Sequence, residues 1–333
     1  MFHARRAALR TLHVDRVALE VVESLARAGV RAIFLKGFSW ARLLYSDGAP
    51  RRYTDVDLLV GPSDWMRAEA AVAELGFAKV MDSEDVGTAI HASTWRRDSD
   101  MAYVDLHRTL PGVTADAERH WRVVSGETAT AALFGRDVEV LTPAASAFLV
   151  AAHAAHHGVA VAKPMEDLRR AIEQLDLETW SAAAVLAREL GGLPALSTGL
   201  RLLLEGQALA EKLGVEPVTS VELAIRSRTP GPGAFAYQLL AETPGLGRKI
   251  AVVARKLAPS RRFMQGKYKL ARRGNAGLAA AYALRLLLLV RGAPRGFALW
   301  RTALRESRAH GSDGAVPCRL EGRQPQSGGR GSK

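Results

Sequence analysis

The residues best equipped for chemistry lie in the stretch Tyr53-Thr54-Asp55-Val56-Asp57-Leu58-Leu59-Val60. It has the marks of a strand: apolar Val56, Leu58, Leu59 and Val60, a β-branched Thr54 and a Gly61-Pro62 stop. Side chains alternate along a strand, so Asp55 and Asp57 point to one face. Two carboxylates placed so repel each other unless a cation sits between them. A hard divalent ion such as Mg2+, which takes oxygen ligands, answers that need. A later stretch, Tyr103-Val104-Asp105-Leu106-His107, sets Asp105 and His107 on one face by the same period. With the two strands side by side, three acids would converge on one point.

Upstream, residues 31–35 read as a buried strand, closed by Lys36-Gly37, and a helix over residues 38–45 follows at once. Strand, glycine turn and helix amino terminus bring backbone N–H groups and a lysine to a natural anion site. Arg51 and Arg52, next to the aspartates, fit either an ion-pair cluster or contacts to phosphates that arrive with a metal. His153, His156 and His157 end a later helix. His153 and His157 share a helical face, but no glutamate follows His153, so this is not a zinc-protease motif.

The elements that must position these residues follow from hydrophobic period and punctuation. A helix is expected over residues 7–28 and an amphipathic one from Pro62-Ser63-Asp64 to Gly76. Strands are expected over 77–81, 88–95 and 101–106, the last two joined as a hairpin. Without regular βαβ alternation the fold class is α+β, with a small mixed β-sheet and flanking helices. From about Asp116 the pattern turns helical: a short helix over 127–134, an isolated strand over 137–141, and a strong helix capped by Thr142-Pro143. Pro164 opens the next helix, and others are expected over 178–190, 194–213, 217–228, 234–241 and 246–257. Residues 229–233, Thr-Pro-Gly-Pro-Gly, are the clearest linker. The apolar run 276–290, broken by Arg285, falls short of the ~18–20 residues of a membrane span, so a buried or interfacial helix is expected. From Ser307 on, the Gly/Ser/Gln/Arg-rich composition predicts disorder.

Composition bounds the possibilities. The chain has 333 residues, 48% of them hydrophobic and 24% charged, enough for two domains with a sizeable core. Its single cysteine, Cys318, rules out an internal disulfide and a cysteine metal cluster, which suits a reducing compartment. The opening Met1-Phe2-His3-Ala4-Arg5-Arg6 lacks the apolar core of a signal peptide, so a cytoplasmic location is expected, peripheral at the membrane if the basic region binds one. The net charge of +12 is uneven, with 20 Lys+Arg against 3 Asp+Glu from residue 246 to the end. That field suits a polyanion, either nucleic acid or an anionic membrane surface, through residues 246–308.

Leu35-Lys36-Gly37, then Arg52-x-x-Asp55-Val56-Asp57-Leu58-Leu59-Val60, then Val104-Asp105-Leu106-His107, then His153-x-x-His156-His157-Gly158 with Asp167 downstream, form an ordered series. Over residues 10–230 it resembles the uncharacterised nucleotidyltransferase-like family of the DNA polymerase β-type nucleotidyltransferase superfamily. The resemblance implies a mixed sheet followed by a helical domain. It also implies two Mg2+ ions on Asp55, Asp57 and Asp105, with Asp105 suited to activating an attacking hydroxyl. Lys36 and Gly37 would line the triphosphate, and Ser39 and Arg52 are placed with them as nucleotide contacts. The turn reads Lys36-Gly37-Phe38-Ser39 where the superfamily has Gly-Ser, and it lies farther from Asp55 than is usual. His107, His156 and Asp167 are accessory candidates.

These readings give four expected units: a nucleotidyltransferase-like α+β domain over 1–141, a helical domain over 142–229, a basic helical region over 234–306 and a disordered tail over 307–333. The expected function is Mg2+-dependent transfer of a nucleoside monophosphate from an NTP, ATP being the expected donor, to an unknown acceptor on a protein, small molecule or RNA. The alternative is a non-catalytic binding protein that keeps the fold and meets nucleic acid or an anionic membrane through its basic region.

Overall fold

The structure, a computed structural model, describes residues 2–81, 92–228 and 233–310. The first half runs α1 (Phe2–Arg27), β1 (Ala32–Phe34), α2 (Phe38–Leu44), β2 (Val56–Val60), α3 (Trp65–Glu74), β3 (Ala78–Met81), β4 (Ala92–Arg97), β5 (Ala102–His107), α4 (Ala117–Val124), β6 (Thr128–Leu133) and β7 (Arg136–Leu141). The seven strands form one mixed sheet in the order β3-β4-β5-β2-β1-β7-β6. The acid-bearing strand β2 lies at its centre, antiparallel to β1 and parallel to β5.

Alternation along β2 divides the core. Val56, Leu58 and Val60, with Phe34, Val104 and Leu106, pack against Val17, Val21, Leu25, Ala68 and Val72 of α1 and α3. Leu59 joins Ile33 and Leu35 in a second cluster with Trp40, Leu44 and residues of α5 (Pro143–His157), among them Phe148 and Ala152. Asp57 shares parity with Leu59, so its carboxylate is on the side covered by α5. The second half continues with α6 (Ala162–Gln174), α7 (Leu177–Glu189), α8 (Leu193–Leu200), α9 (Leu204–Lys212), α10 (Val221–Arg226), α11 (Ala234–Glu242), α12 (Leu246–Leu257), α13 (Arg261–Lys267) and α14 (Gly274–His310). Thr142 caps α5, its hydroxyl accepting from the Ala145 N–H at 3.2 Å, as the Thr142-Pro143 pair predicts.

Five expectations from the sequence need correction. Residues 127–134 are not a helix and residues 137–141 are not an isolated strand: β6 pairs antiparallel with β7 from Thr128↔Leu141 to Leu133↔Arg136, and β7 pairs in parallel with β1. Phe134 and Gly135, both at positive φ (50° and 77°), make the tight turn between them. The alanines favour a helix intrinsically, and cross-strand pairing overrides that small preference. The helix over 194–213 is two, because α9 folds back so closely that a Cβ on Gly206 would stand 2.1 Å from the Leu200 carbonyl oxygen. Residues 307–310 are helical, the end of α14. The apolar run 276–290, mostly exposed apart from Gly277 and Ala281, is part of a longer helix than expected: neither Arg285 nor Pro294 stops it, and it reaches 37 residues. By length and composition α14 could cross a membrane, and only 11% of its most apolar window is buried. Residues 88–91 of a predicted strand, 229–232 of the predicted linker, and Cys318 with residues 311–333 of the predicted tail lie outside the described residues.

Candidate active site

The site begins with register. On neighbouring parallel strands Asp57 stands directly opposite Asp105. The other neighbour, β1, ends where the Leu35 N–H donates to the Asp57 carbonyl at 3.1 Å. The next side chain, Lys36, thereby reaches Asp57, its Nζ lying 2.8 Å from Oδ1. His107 Nε2 meets the same Oδ1 at 3.1 Å. Asp57 is 4% exposed, so its charge depends on these two groups.

Burial pushes the Asp57 carboxyl up, but Lys36 and His107 more than reverse this and hold it well below the usual carboxylate range. On Lys36 burial works against the ammonium, and Asp57, Asp55 and Asp105 outweigh it, so the lysine stays charged. Asp105 goes the other way: burial first, then the Asp57 charge beside it, raises its pKa. Thr94, its cross-strand partner, hydrogen-bonds the carboxyl group, while Oδ1 is buried with no partner among the described residues. An orphaned carboxylate oxygen next to a second carboxylate is costly unless something positive approaches it. Ligand atoms of Asp57, Asp105 and His107 all lie within 4.8 Å of one another, so these residues fit a divalent cation.

Asp55 immediately precedes β2, half-exposed, and its charge acts on Lys36, Asp105 and Lys163. Lys36, Gly37, Asp55 and Asp57 also line one crevice with Asp15 and Tyr53. The Lys36-Gly37 bend needs its glycine, because φ is 72° there. The Ser39 hydroxyl donates to the Lys36 carbonyl at 3.1 Å, fixing the bend from inside. Arg51 fixes it from outside, with Nη1 donating to the Gly37 carbonyl at 3.1 Å. The same guanidinium grips Asp167 through Nε and Nη2, both at 2.8 Å. Tyr45 adds a third bond to Asp167 at 2.8 Å. Asp167 therefore stands apart from the β2 and β5 carboxylates, in a buried clamp of its own, while Arg52 is exposed.

From the helical side, α5 presents His153 and His157. The His153 ring lies 5.9 Å from Trp40 and 4.4 Å from His157. Burial, then Lys36 and His157, hold His153 neutral, well below the ordinary histidine range, with Asp57 acting the other way. His157 is lowered by burial and then by Lys36. His156 packs its ring 5.3 Å from that of His157. Lys163, at the start of α6, is lowered by burial and Arg51, opposed by Asp55, Asp167 and Asp57, so it shares the field of the acids. The spacing of His153 and His157 marks a common helical face, but nothing in the sequence points to Lys163.

Two solved structures are similar at a distance. The antibiotic-resistance factor ANT(2'')-Ia is 16% identical, with a TM-score of 0.40 over 54% of this chain and 94% of its own. An antigenic nucleotidyltransferase-like protein from Paracoccidioides brasiliensis is 15% identical, with a TM-score of 0.34 over 62% of this chain and 98% of its own. No functionally curated protein matches the chain. Residues 2–205 match the uncharacterised nucleotidyltransferase family, and the chain belongs to that family.

Proposed function

We propose that the chain transfers a nucleoside monophosphate from an NTP, with ATP the expected donor, to a hydroxyl on a protein, small molecule or RNA. The observation that carries this reading is the pairing of Asp57 with Asp105, whose Oδ1 has no partner among the described residues, beside the lysine at the glycine bend. Asp57 and Asp105, with Asp55 at the strand entrance and His107 alongside, would hold Mg2+. A divalent ion there supplies charge neutralisation and Lewis acidity at the transferring phosphoryl group.

The chain's own groups supply the rest. Lys36 offsets negative charge on the triphosphate at the bend, and Gly37 allows the backbone to approach it. Ser39 and Arg51 hold the bend in place, and exposed Arg52 is free to reach a phosphate. The acceptor oxygen forms a bond to the α-phosphorus while the α–β bridging P–O bond breaks and pyrophosphate leaves. The hydroxyl proton passes to the Asp105 carboxylate, whose Oδ1 has no partner among the described residues. The test is label from an α-labelled NTP appearing, with Mg2+ present, on a component of cell extract. Asp105→Asn should abolish it, and label transfer at the full rate by that variant would refute the reading.

A second reading has one observation in its favour: Lys36 already neutralises Asp57, as a site that uses no metal would require. The chain would then be a binding protein, meeting polyanions through its basic residues 246–308. Thermal stabilisation by ATP separates the two, since it needs Mg2+ in the first case and not in the second.

A further inference from the structure

Residues 246–308 hold 16 Lys+Arg and one acid, Glu306, and the catalytic chemistry uses none of them. Within this region α12 has no buried residue. Its apolar side chains Leu246, Ile250, Val253 and Leu257 fall on a single helical stripe and are 75%, 59%, 40% and 45% exposed. Arg248, Lys249, Arg255 and Lys256 occupy the remaining faces.

The middle of α14 is also exposed, with Leu284, Leu286, Leu287, Leu288 and Val290 distributed around the helix. Arg285, the cation that interrupts this run, is turned away from it. Its Nε and Nη2 donate to the Lys256 carbonyl at 3.1 and 2.9 Å, capping the end of α12. Tyr282 adds a bond to the Pro259 carbonyl at 2.5 Å. The two helices are thus tied together while their apolar side chains remain in water. Each square ångström of such surface is unfavourable by roughly 25 cal/mol, and a contiguous apolar patch rimmed by charge marks a surface that something covers.

A nucleic acid would engage the cations but would leave the leucines wet. A bilayer with anionic headgroups satisfies both, taking the apolar stripe among its acyl chains and the Lys and Arg at its charged surface. We propose that α12 and residues 284–290 of α14 seat this protein on an anionic membrane surface.

The test is cosedimentation of the 333-residue chain with vesicles of phosphatidylcholine, alone or mixed with phosphatidylglycerol, at low and high salt. Pelleting is expected with the mixed vesicles only, weakened but not abolished by high salt. Ile250→Glu with Val253→Glu should weaken it by roughly tenfold or more, with the melting temperature unchanged because both positions are solvent-exposed. Four outcomes would overturn the proposal. One is no pelleting with either vesicle. Another is equal pelleting of the variant. The third is displacement of the protein from vesicles by single-stranded RNA. The fourth is assembly into oligomers through this stripe in place of vesicle binding.

Discussion

Two buried cation–carboxylate pairs flank the Gly37 bend. In the Arg51–Asp167 pair both carboxylate oxygens are engaged, Oδ1 by Arg51 Nε and the Tyr45 hydroxyl and Oδ2 by Arg51 Nη2. In the Lys36–Asp57 pair a second carboxylate, Asp105, crowds the first and has an oxygen with no partner among the described residues. Saturation makes the first pair a fastening between the bend and α6. The surplus of acceptor oxygens in the second is what a reactive or cation-binding site requires. Formal charge is alike in both, and both carboxylates are buried; the count of donors against acceptors separates them.

Variants on the unsaturated side break the comparison most directly. Asp105→Asn should cost about 10³-fold or more in transfer rate, measured with α-labelled NTP. It should also leave the melting temperature unchanged or raised, since it removes a buried like charge. A transfer rate near that of the wild type would place Asp105 with the structural carboxylates. On the saturated side, Arg51→Met should destabilise by about 3–5 kcal/mol, because it strands a buried Asp167 charge. Adding Asp167→Leu should restore most of this loss in urea unfolding. If the single variant is as stable as the wild type, the clamp is not holding the layers together.

The histidine layer that covers the site gives a pH signature. His153 is kept neutral in the folded chain, while the unfolded chain protonates it near its ordinary value of 6.5. Protons therefore favour the unfolded state, so stability is present above pH 6.5 and falls as pH drops below it. The slope is at most about 1.4 kcal/mol per pH unit. In His153→Phe that part of the denaturation profile should flatten, and an unchanged profile would assign the acid sensitivity to other groups. Smallest of all, Arg52→Ala should change stability by no more than about 0.5 kcal/mol, being exposed. A rise in KM for the NTP with kcat unchanged would make Arg52 a phosphate contact.

Much of the acidic cluster is legible in the sequence because period-two alternation fixes which side chains share a face. Asp105 and His107 flank Leu106 just as Asp55 and Asp57 flank Val56, and the structure sets Asp57 opposite Asp105. What alternation does not carry is which neighbour each strand takes. The position of Lys36 against Asp57 depends on β1 ending beside β2. The division of labour between Arg51 and Arg52 depends on Asp167, 116 residues away from Arg51. The helix expected over 127–134 failed for the same reason: the Ala-rich stretch is set by its pairing with β7. For α14 the apolar run was visible, but its length and exposure depend on what packs against it.

Because one guanidinium bonds the Gly37 carbonyl and both oxygens of a carboxylate on α6, the Lys36-Gly37 bend is coupled to that helix. A guest that pries the bend outward must drag Arg51 and α6 along, or break either the bond at the Gly37 carbonyl or the pair of bonds at Asp167. Breathing of this mouth is thus a motion of whole layers, and its tempo belongs to the helical half of the chain as much as to the strand that carries the acids.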